Sequence, residues 1–359
     1  MIIVGVLLFA LLVVVHEFGH FWAAKKSGVE VEEFGIGFPP RLLGMKFGKS
    51  RTLYSLNLIP LGGFVKLKGE AAADKLPRSF GAARFRHQAK ILLAGVGMNI
   101  VAAFGLILIL SLVGLPQLLP NQFTIKGDEH DRQQTVLVAD VLAESAAAGV
   151  GLLQGDRILT VDGQTMTSSD LLVDYTRARP GQSIRLGLER GGKALEQSVT
   201  LGRTEEGKGQ LGIVPAEDLR VRYTWAAPVV ALVITAQLLL ATVLGLWQII
   251  VGLIVEGTAS EAVAGAVGPV GILALLGNAG NLGWQYVVLL IVAISVSLAV
   301  VNALPLPALD GGRLALISLY RFLKRPLTKQ LENAVHTIGF VLLLALFVLV
   351  SYFDVKRFF

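Results

Sequence analysis

The 359-residue chain contains no cysteine, and only 16% of its residues are charged. The lack of cysteine excludes disulfide bonds, thiolate metal ligands and a cysteine nucleophile. The scarcity of charge is accompanied by 53% hydrophobic residues and a mean hydropathy of +0.65. These values exclude an ordinary soluble globular protein and indicate a polytopic membrane protein.

The few charged residues are distributed unevenly. Residues 25–90 carry 13 Lys or Arg against 5 Asp or Glu, whereas residues 115–225 carry 12 against 15. Short basic loops of membrane proteins face the cytoplasm, so the first region is predicted to be cytoplasmic and the second extracytoplasmic. The net charge of +6 therefore reflects the orientation of the chain in the membrane. We expect the basic residues to meet the lipid bilayer, and we expect no nucleic acid partner.

The first apolar run ends in the polar motif His16-Glu17-Phe18-Gly19-His20. Residues 1–15 are uncharged and the first lysines follow at 25–26, which predicts a transmembrane helix over residues 1–24 with its N-terminus outside. His16 and His20 are four residues apart, so both imidazoles lie on one helix face and can bind one metal ion. Glu17 lies about 100° further round the helix, beside the metal, where it can act as a general base.

Burial in lipid favours a functional interpretation of this motif over a chance one. A carboxylate at membrane depth costs roughly 2.5–3.5 kcal/mol or more, and such residues usually mark a functional site. At about 1.5 Å per residue, His16 lies roughly 20 Å along the helix, within a hydrocarbon core of about 30 Å. The sequence therefore predicts a metal site inside the membrane, toward the cytoplasmic side.

Residues 53–69 alternate between apolar and polar side chains on either side of Pro60-Leu61-Gly62-Gly63. This alternation predicts a membrane-associated β-hairpin with both glycines at its turn. The hairpin is either a strand edge that pairs with an unwound substrate or a cover over the site. A second span is predicted over residues 91–115, and its Asn99 either packs between helices or forms a hydrogen bond near the metal.

Residues 121–210 are charged and rich in turns, unlike the sequence around them. They predict strands at 136–141, 183–189 and 194–201 and a helix at 170–179. The passage AAGVGLLQGDRILTVDG (residues 147–163) resembles a PDZ domain of the bacterial protease type. The resemblance implies one inserted extracytoplasmic α+β domain that binds a peptide terminus or filters substrates by size. The alternative is a spacer without a working groove.

A second polar motif ends a later apolar run. Residues 284–301 are long enough to cross a bilayer and lead into Asn302-Ala-Leu-Pro305-Leu-Pro307-Ala-Leu-Asp310. The two prolines break the helix, and unwound backbone at membrane depth is tolerated only where it lines a cavity or is buried in protein. Asp310 is then either a turn-forming residue or the third ligand of the His16–His20 site. Two histidines, one carboxylate and a water are typical of one catalytic Zn²⁺ ion.

The common depth of the two motifs restricts the topology. For Asp310 to meet His20, both spans must run from outside to inside, with the second span as the return crossing. Residues 226–255 must then be interfacial or re-entrant, which we favour, or pair with a further crossing such as residues 263–276. The last crossing covers about residues 334–352. The fold class is thus a polytopic α-helical membrane protein with about four transmembrane helices. Residues 1–120 and 211–359 form its membrane core.

The two motifs and the PDZ-like insert, in this order, resemble the bacterial site-2 protease family, of the regulator-of-sigma-E protease type. The resemblance implies zinc ligands at His16, His20 and Asp310, a catalytic glutamate at Glu17 and an asparagine near the substrate at Asn302. It also likens the hairpin to a membrane re-entrant β-loop. Residues expected to bind substrate or support the site are Asn302, Asn99, Pro305, Pro307, Gly62 and Gly63.

The sequence departs from the family pattern in two places. The Gly-Pro-x-x-Asn of the second span reads Gly95-Val96-Gly97-Met98-Asn99, without the proline. There is one PDZ-like unit, so members with two are an imperfect guide to how substrates are admitted.

The resemblance implies an intramembrane zinc metalloprotease of the bacterial inner membrane. Its substrates are expected to be transmembrane proteins, such as membrane-anchored anti-sigma factors or signal-peptide remnants. Two functions of other classes stay open. One is an inactive membrane scaffold that recruits partners through its PDZ-like domain. The other is a metal transporter, for which three ligands and a general base in one cavity are a poor design.

Overall fold

The computed structural model describes residues 2–46, 52–252 and 267–358. The helices are α1 (Ile2–Lys26), α2 (Phe85–Val113), α3 (Ala146–Gly149), α4 (Ser169–Arg177), α5 (Ala227–Val251), α6 (Pro269–Leu282), α7 (Trp284–Ala303), α8 (Asp310–Phe322) and α9 (Lys329–Phe358). The strands are β1 (Val31–Lys46), β2 (Leu53–Leu67), β3 (Leu115–Pro116), β4 (His130–Val141), β5 (Arg157–Val161), β6 (Gln164–Thr165), β7 (Ser183–Arg190), β8 (Lys193–Thr200), β9 (Gly202–Arg203), β10 (Gly209–Gln210) and β11 (Ile213–Arg222).

These elements form two compact units. The first, here called the membrane unit, contains residues 1–106, 235–276 and 290–359. The second, here called the inserted unit, contains residues 107–234 and 277–289.

Five helices in the described part of the chain are long and apolar enough to cross a bilayer, namely α1, α2, α5, α7 and α9. Their apolar sequences form helices because a membrane-spanning backbone must satisfy its hydrogen bonds internally. Helix α6, with 14 residues, extends only about 21 Å and is shorter than a bilayer core of about 30 Å.

Helix α5 covers most of the segment 226–255, for which the sequence predicts an interfacial or re-entrant course. Residues 227–251 form one continuous helix of 25 residues, which does not turn back within its length. Residues 253–255 lie outside the described residues. The number of crossings, about four, stays a prediction.

The β-structure after α1 differs from the predicted hairpin. Strand β2 continues through residues 60–63 instead of turning there, and Phe34 of β1 lies opposite both Tyr54 and Val65. The two halves of β2 therefore flank residues 31–36 of β1, and the predicted pairing of residues 54–58 with 65–67 is wrong. An alternating pattern identifies a strand and its faces but not its partner, which here lies upstream of the predicted hairpin.

The inserted unit is built on a seven-stranded sheet in the order β3-β11-β4-β5-β7-β8, with β6 paired to β5. Strands β4, β7 and β8 and helix α4 confirm the four elements predicted for this region. The sheet runs from Leu115 to Arg222, because β3 and β11 pair outside residues 121–210. Its core is aliphatic; the fully buried members include Val136, Val138, Ile158, Val161, Leu186 and Leu188.

Candidate active site

Three side chains of the membrane unit converge on one point. The Nε2 atoms of His16 and His20 are 3.1 Å apart, and each is 3.1 Å from Oδ2 of Asp310. Both histidines are 8% exposed. Nearly 300 residues separate Asp310 from the histidines, so the fold brings together the ligand set that the two sequence motifs predict.

The histidines share a face of α1 because they are four residues apart. Asp310 is the first residue of α8, directly after the non-helical connection from α7. Glycines allow this connection to pack closely: a Cβ at Gly311 would overlap the carbonyl oxygen of Ala303, and one at Gly312 would overlap that of Leu306. The proline-containing stretch therefore brings the carboxylate to the histidines.

Helix α2 packs directly against the two imidazoles. A Cβ added at Gly95 would overlap Nε2 of His20 and would lie 2.7 Å from Nε2 of His16. On the facing helix, a Cβ at Gly19 would overlap the carbonyl oxygen of Ala94. Only a glycine at each position allows α1 and α2 to approach this closely.

The second nitrogen of each imidazole also has a partner. Nδ1 of His20 is 2.8 Å from the carbonyl oxygen of Ile91, so Nδ1 carries a proton, and in the neutral imidazole Nε2 is then the nitrogen that can bind a metal. Nδ1 of His16 is 3.2 Å from Nδ2 of Asn99, while Oδ1 of Asn99 is buried without a hydrogen-bond partner among the described residues. Exchanging the oxygen and nitrogen of this amide gives its oxygen a donor, because Nδ1–H of His16 then donates to Oδ1 of Asn99.

These observations fit a zinc ion. Two ligand atoms at about 2.0–2.1 Å from one tetrahedral zinc lie about 3.3–3.4 Å apart, close to the three separations of 3.1 Å. Metal-bound histidines usually donate their other ring N–H to a carbonyl or carboxylate, as His20 does and as His16 does once the Asn99 amide is exchanged. The described site supplies three protein ligands, which leaves a fourth position for water or substrate.

Glu17 lines the same cavity as the three ligands. The cavity has a volume of about 260 Å³ and also includes Asn302, which lies one residue before the end of α7. The backbone N–H of Val65, in β2, donates a hydrogen bond to the Glu17 carboxylate. The strand therefore holds the glutamate at the edge of the site.

The other predicted residues lie near the site without lining this cavity. Gly62 and Gly63 pack against α1; a Cβ at Gly63 would lie 3.8 Å from Cγ of Glu17. Pro305 and Pro307 are exposed in the connection between α7 and α8. Asn99 is fully buried behind His16.

Sequence reasoning missed a buried ion pair beside the ligands. Nε of Arg313 is 3.2 Å from Oε1 of Glu332, and the other Glu332 oxygen accepts the backbone N–H of Ala72 at 2.8 Å. Arg313 also donates to the carbonyl oxygen of Glu70. Arg313 lies three residues after the ligand Asp310. Its contacts connect α8 to α9 and to the chain segment that follows β2. The sequence signal for this ion pair was Glu332, a lone acidic residue at the start of the apolar helix α9.

His336 is not part of the ligand set; its role is a backbone contact. Its Nδ1 accepts the N–H of Ala308 at 3.2 Å, and Ala308 has a positive φ of 72°. Helix α9 therefore holds the connection between α7 and α8 in its unusual backbone conformation.

Curated relatives match the chain over nearly its whole length. The zinc metalloprotease RasP of Geobacillus kaustophilus is 27% identical over 440 residues, covering 100% of this chain and 98% of the relative. The regulator of sigma-E protease RseP of Salmonella typhimurium is 28% identical over 440 residues, covering 96% of each.

Among solved structures, the PDZ domain of an SdrC-like protein from Listeria monocytogenes matches 23% of this chain and 86% of its own, at 26% identity and a TM-score of 0.22. A model of peptidase family M50 matches residues 4–346. The chain therefore belongs to peptidase family M50 and is a membrane zinc metalloprotease of the site-2 type.

Proposed function

We propose that this protein hydrolyses a peptide bond within or near a transmembrane segment of another membrane protein, at one zinc ion. His16, His20 and Asp310 are the ligands, and Glu17 is the catalytic base. The observation that carries this proposal is the mutual separation of 3.1 Å among the three ligand atoms. Two of these atoms belong to α1, an apolar helix long enough to span a membrane.

Glu17 is the residue that moves protons. When bound, zinc supplies Lewis-acid activation of water and of the substrate carbonyl. The Glu17 carboxylate accepts the proton of the attacking water and returns it to the leaving nitrogen. The N–H of Val65 keeps the carboxylate oriented toward the cavity, while His16 and His20 act only as unprotonated nitrogen ligands.

The substrate must be extended at the point of cleavage, because the carbonyls of a helix are hydrogen-bonded within it. The last segment of β2, residues 63–67, pairs with β1 on one side, and its Val65 and Leu67 line the active-site cavity. This placement favours the interpretation of a strand edge that pairs with an unwound substrate. Asn302, with two donors and an acceptor in its amide, is placed to bind the substrate backbone.

The inserted unit is proposed to bind a peptide terminus. A cavity of about 690 Å³ lies between α4 and the beginning of β11, and its lining includes Arg177, Arg203 and Lys208. Residues 213–219 of β11 pair with β4 on one side, and an extended peptide on the other side would continue the sheet.

We further propose an orientation. The chain is a multi-pass protein of the bacterial inner membrane, with the N-terminus and the PDZ-like domain extracytoplasmic and the active site toward the cytoplasmic side. The support is the excess of Lys and Arg in residues 25–90 over residues 115–225. About four crossings are compatible with this orientation. Transmembrane substrates such as anti-sigma factors or signal-peptide remnants are proposed from the family alone.

The test is the Glu17→Gln variant, which keeps the shape of the side chain and removes its base. We expect proteolysis to fall to background while the purified protein keeps one zinc per chain, and uncleaved membrane stubs to accumulate in the membrane proteome. Glu33→Gln, in β1, is the matched control and should behave as wild type. Retained cleavage in Glu17→Gln would exclude Glu17 as the base.

The same preparations decide between the enzyme and an inactive scaffold. A scaffold needs no metal, so wild type without zinc would contradict the proposal. We expect zinc in the wild type and its loss in His20→Ala, which removes one ligand.

A further inference from the structure

A second cavity of the membrane unit is lined by basic residues. It has a volume of about 410 Å³ and lies between the start of α2 and the end of α8. It shares no lining residue with the active-site cavity. Its charged lining residues are all basic, namely Lys75, Arg84, Arg321 and Arg325.

Within the described part of the chain, no acidic group neutralises the three arginines. No carboxylate of the described residues lies within 4.0 Å of the guanidinium groups of Arg84, Arg321 and Arg325. Lys75 donates to the carbonyl oxygens of Ala72 and Gly81 at 3.1 and 2.9 Å, which leaves its charge unpaired. By contrast Arg313, in the same helix as Arg321, is paired with a carboxylate. The cavity therefore concentrates positive charge.

Two of the arginines are held in place. The guanidinium of Arg321 lies 5.2 Å from the centroid of the Phe85 ring, a cation–π distance. Arg325 follows the last turn of α8, where its backbone N–H donates to the carbonyl oxygen of Tyr320 at 3.1 Å. Because the Arg321 guanidinium is already held against the Phe85 ring, an anion that binds it loses less of its affinity to the ordering of that side chain.

The cavity lies near the outer edge of the lipid headgroup layer. The apolar run of α2 begins at Ile91, six residues after Phe85, so Phe85 lies about 9 Å beyond the start of that run. The polar layer on each side of a bilayer is roughly 5–8 Å thick. Close in sequence to Arg321, helix α8 exposes two large apolar side chains, with Leu319 52% and Phe322 83% exposed.

We propose that this cavity binds the phosphate of an anionic phospholipid. Arg84, Arg321 and Arg325 donate to the phosphate oxygens, for which guanidinium groups are well shaped. Leu319 and Phe322 contact the acyl chains. An acyl chain would contact these exposed apolar residues, whereas a soluble phosphate would not. The apolar residues therefore favour a lipid as the ligand.

The test compares lipid binding by the full-length protein and its variants in detergent, with native mass spectrometry as the readout. Phosphatidylglycerol and phosphatidylcholine of matched chains are the two probes. We expect wild type to retain phosphatidylglycerol at least tenfold more tightly than phosphatidylcholine. The triple variant Arg84→Gln, Arg321→Gln, Arg325→Gln should bind phosphatidylglycerol roughly tenfold or more weakly, since each basic residue near an anionic lipid contributes several-fold.

Two controls separate a built site from general surface charge. The triple variant Arg86→Gln, Lys90→Gln, Lys324→Gln removes three basic residues of the same helix ends that do not line the cavity, and it should change the affinity less than twofold. Replacement of the three cavity arginines by lysine keeps the charge but not the guanidinium shape, so it should restore binding only in part; this partial rescue also shows that the fold tolerates substitution there. Equal losses in the two glutamine triples would overturn the proposal.

A soluble phosphate ion is the alternative to a lipid as the ligand of this cavity. An excess of inorganic phosphate, compared with sodium chloride at equal ionic strength, should not displace phosphatidylglycerol. Displacement by inorganic phosphate alone would assign the cavity to a soluble anion and would contradict the lipid.

Discussion

The membrane unit and the inserted unit both bury carboxylates, but they surround them differently. Asp156 in the inserted unit is 0% exposed and accepts two hydrogen bonds of 2.6 Å from the guanidinium of Arg190. Oδ2 of Asp310 in the membrane unit, whose side chain is 21% exposed, lies instead 3.1 Å from Nε2 of each of two imidazoles. A carboxylate opposite a guanidinium is neutralised and serves stability, whereas a carboxylate opposite two unprotonated imidazoles leaves space for a cation. Burial alone does not indicate a functional site; the identity of the partner does.

The strongest test of this difference is Asp310→Ala. Without the third ligand, zinc affinity should fall roughly a thousandfold or more, and proteolysis should be lost, while the inserted unit stays folded. Zinc content by elemental analysis and backbone amide exchange of β4, β5 and β7 measure the two effects. Full zinc occupancy in this variant would remove Asp310 from the ligand set.

The reciprocal variant is Asp156→Ala. This removes the buried acceptor of Arg190 and of the Leu153 N–H; because the remaining Arg190 side chain is 34% exposed, the cost is about 1–3 kcal/mol. Amide exchange in the strands of the inserted unit should accelerate accordingly, while zinc content stays at the wild-type value. If exchange in these strands is unchanged, the Asp156–Arg190 pair does not stabilise the fold.

A smaller effect is expected behind the ligands, at Asn99. If its Oδ1 accepts Nδ1–H of His16, Asn99→Ala should weaken zinc binding by about 10–100-fold, and Asn99→Asp, which keeps an acceptor, should restore most of it. Ser295→Ala is the matched control, because Ser295 bonds only the backbone oxygen of Asn99. Equal zinc affinities in wild type and Asn99→Ala would contradict the exchanged amide.

The smallest effect concerns pH and the exposed Asp162 of the inserted unit. Hydrogen bonds from the backbone N–H of Arg185 and the hydroxyl of Tyr175 lower the pKa of Asp162. A lowered folded-state pKa adds stability above the unfolded value near 3.9, and this is lost as the pH falls through the folded value. Because the group is exposed, the contribution is below about 1 kcal/mol. In the Asp162→Asn variant, the stability measured by amide exchange should depend less on pH in this acid range than in wild type. An unchanged dependence would contradict the assignment of this contribution to Asp162.

The ligand motifs were predictable from the sequence because their signal is local. His16, Glu17 and His20 are strong polar groups in an apolar helix, and helical periodicity alone places the histidines on one face. Asp310 was predictable once two ligands lacked a third. The strands of the inserted unit were predictable for the same reason, since alternation and turn residues are read within a few positions.

Features that depend on partners far along the chain were not predictable. The sequence could not show that β1 lies between the two halves of β2, because register is set by distant residues. It left the role of Asn99 open, since a packing contact and a hydrogen bond to His16 require the same residue at the same position. Glu332 gave no indication of its partner, which lies 19 residues earlier on another helix.

The contact of Gly95 with both imidazoles limits the path of an incoming substrate. A substrate helix that entered between α1 and α2 would separate the two helix surfaces that position the ligands. Entry by this route would therefore disrupt the active site. Approach from the side of Val65 and Asn302 leaves this contact intact. We therefore expect a substrate to enter on the side of Val65 and Asn302 and not between α1 and α2.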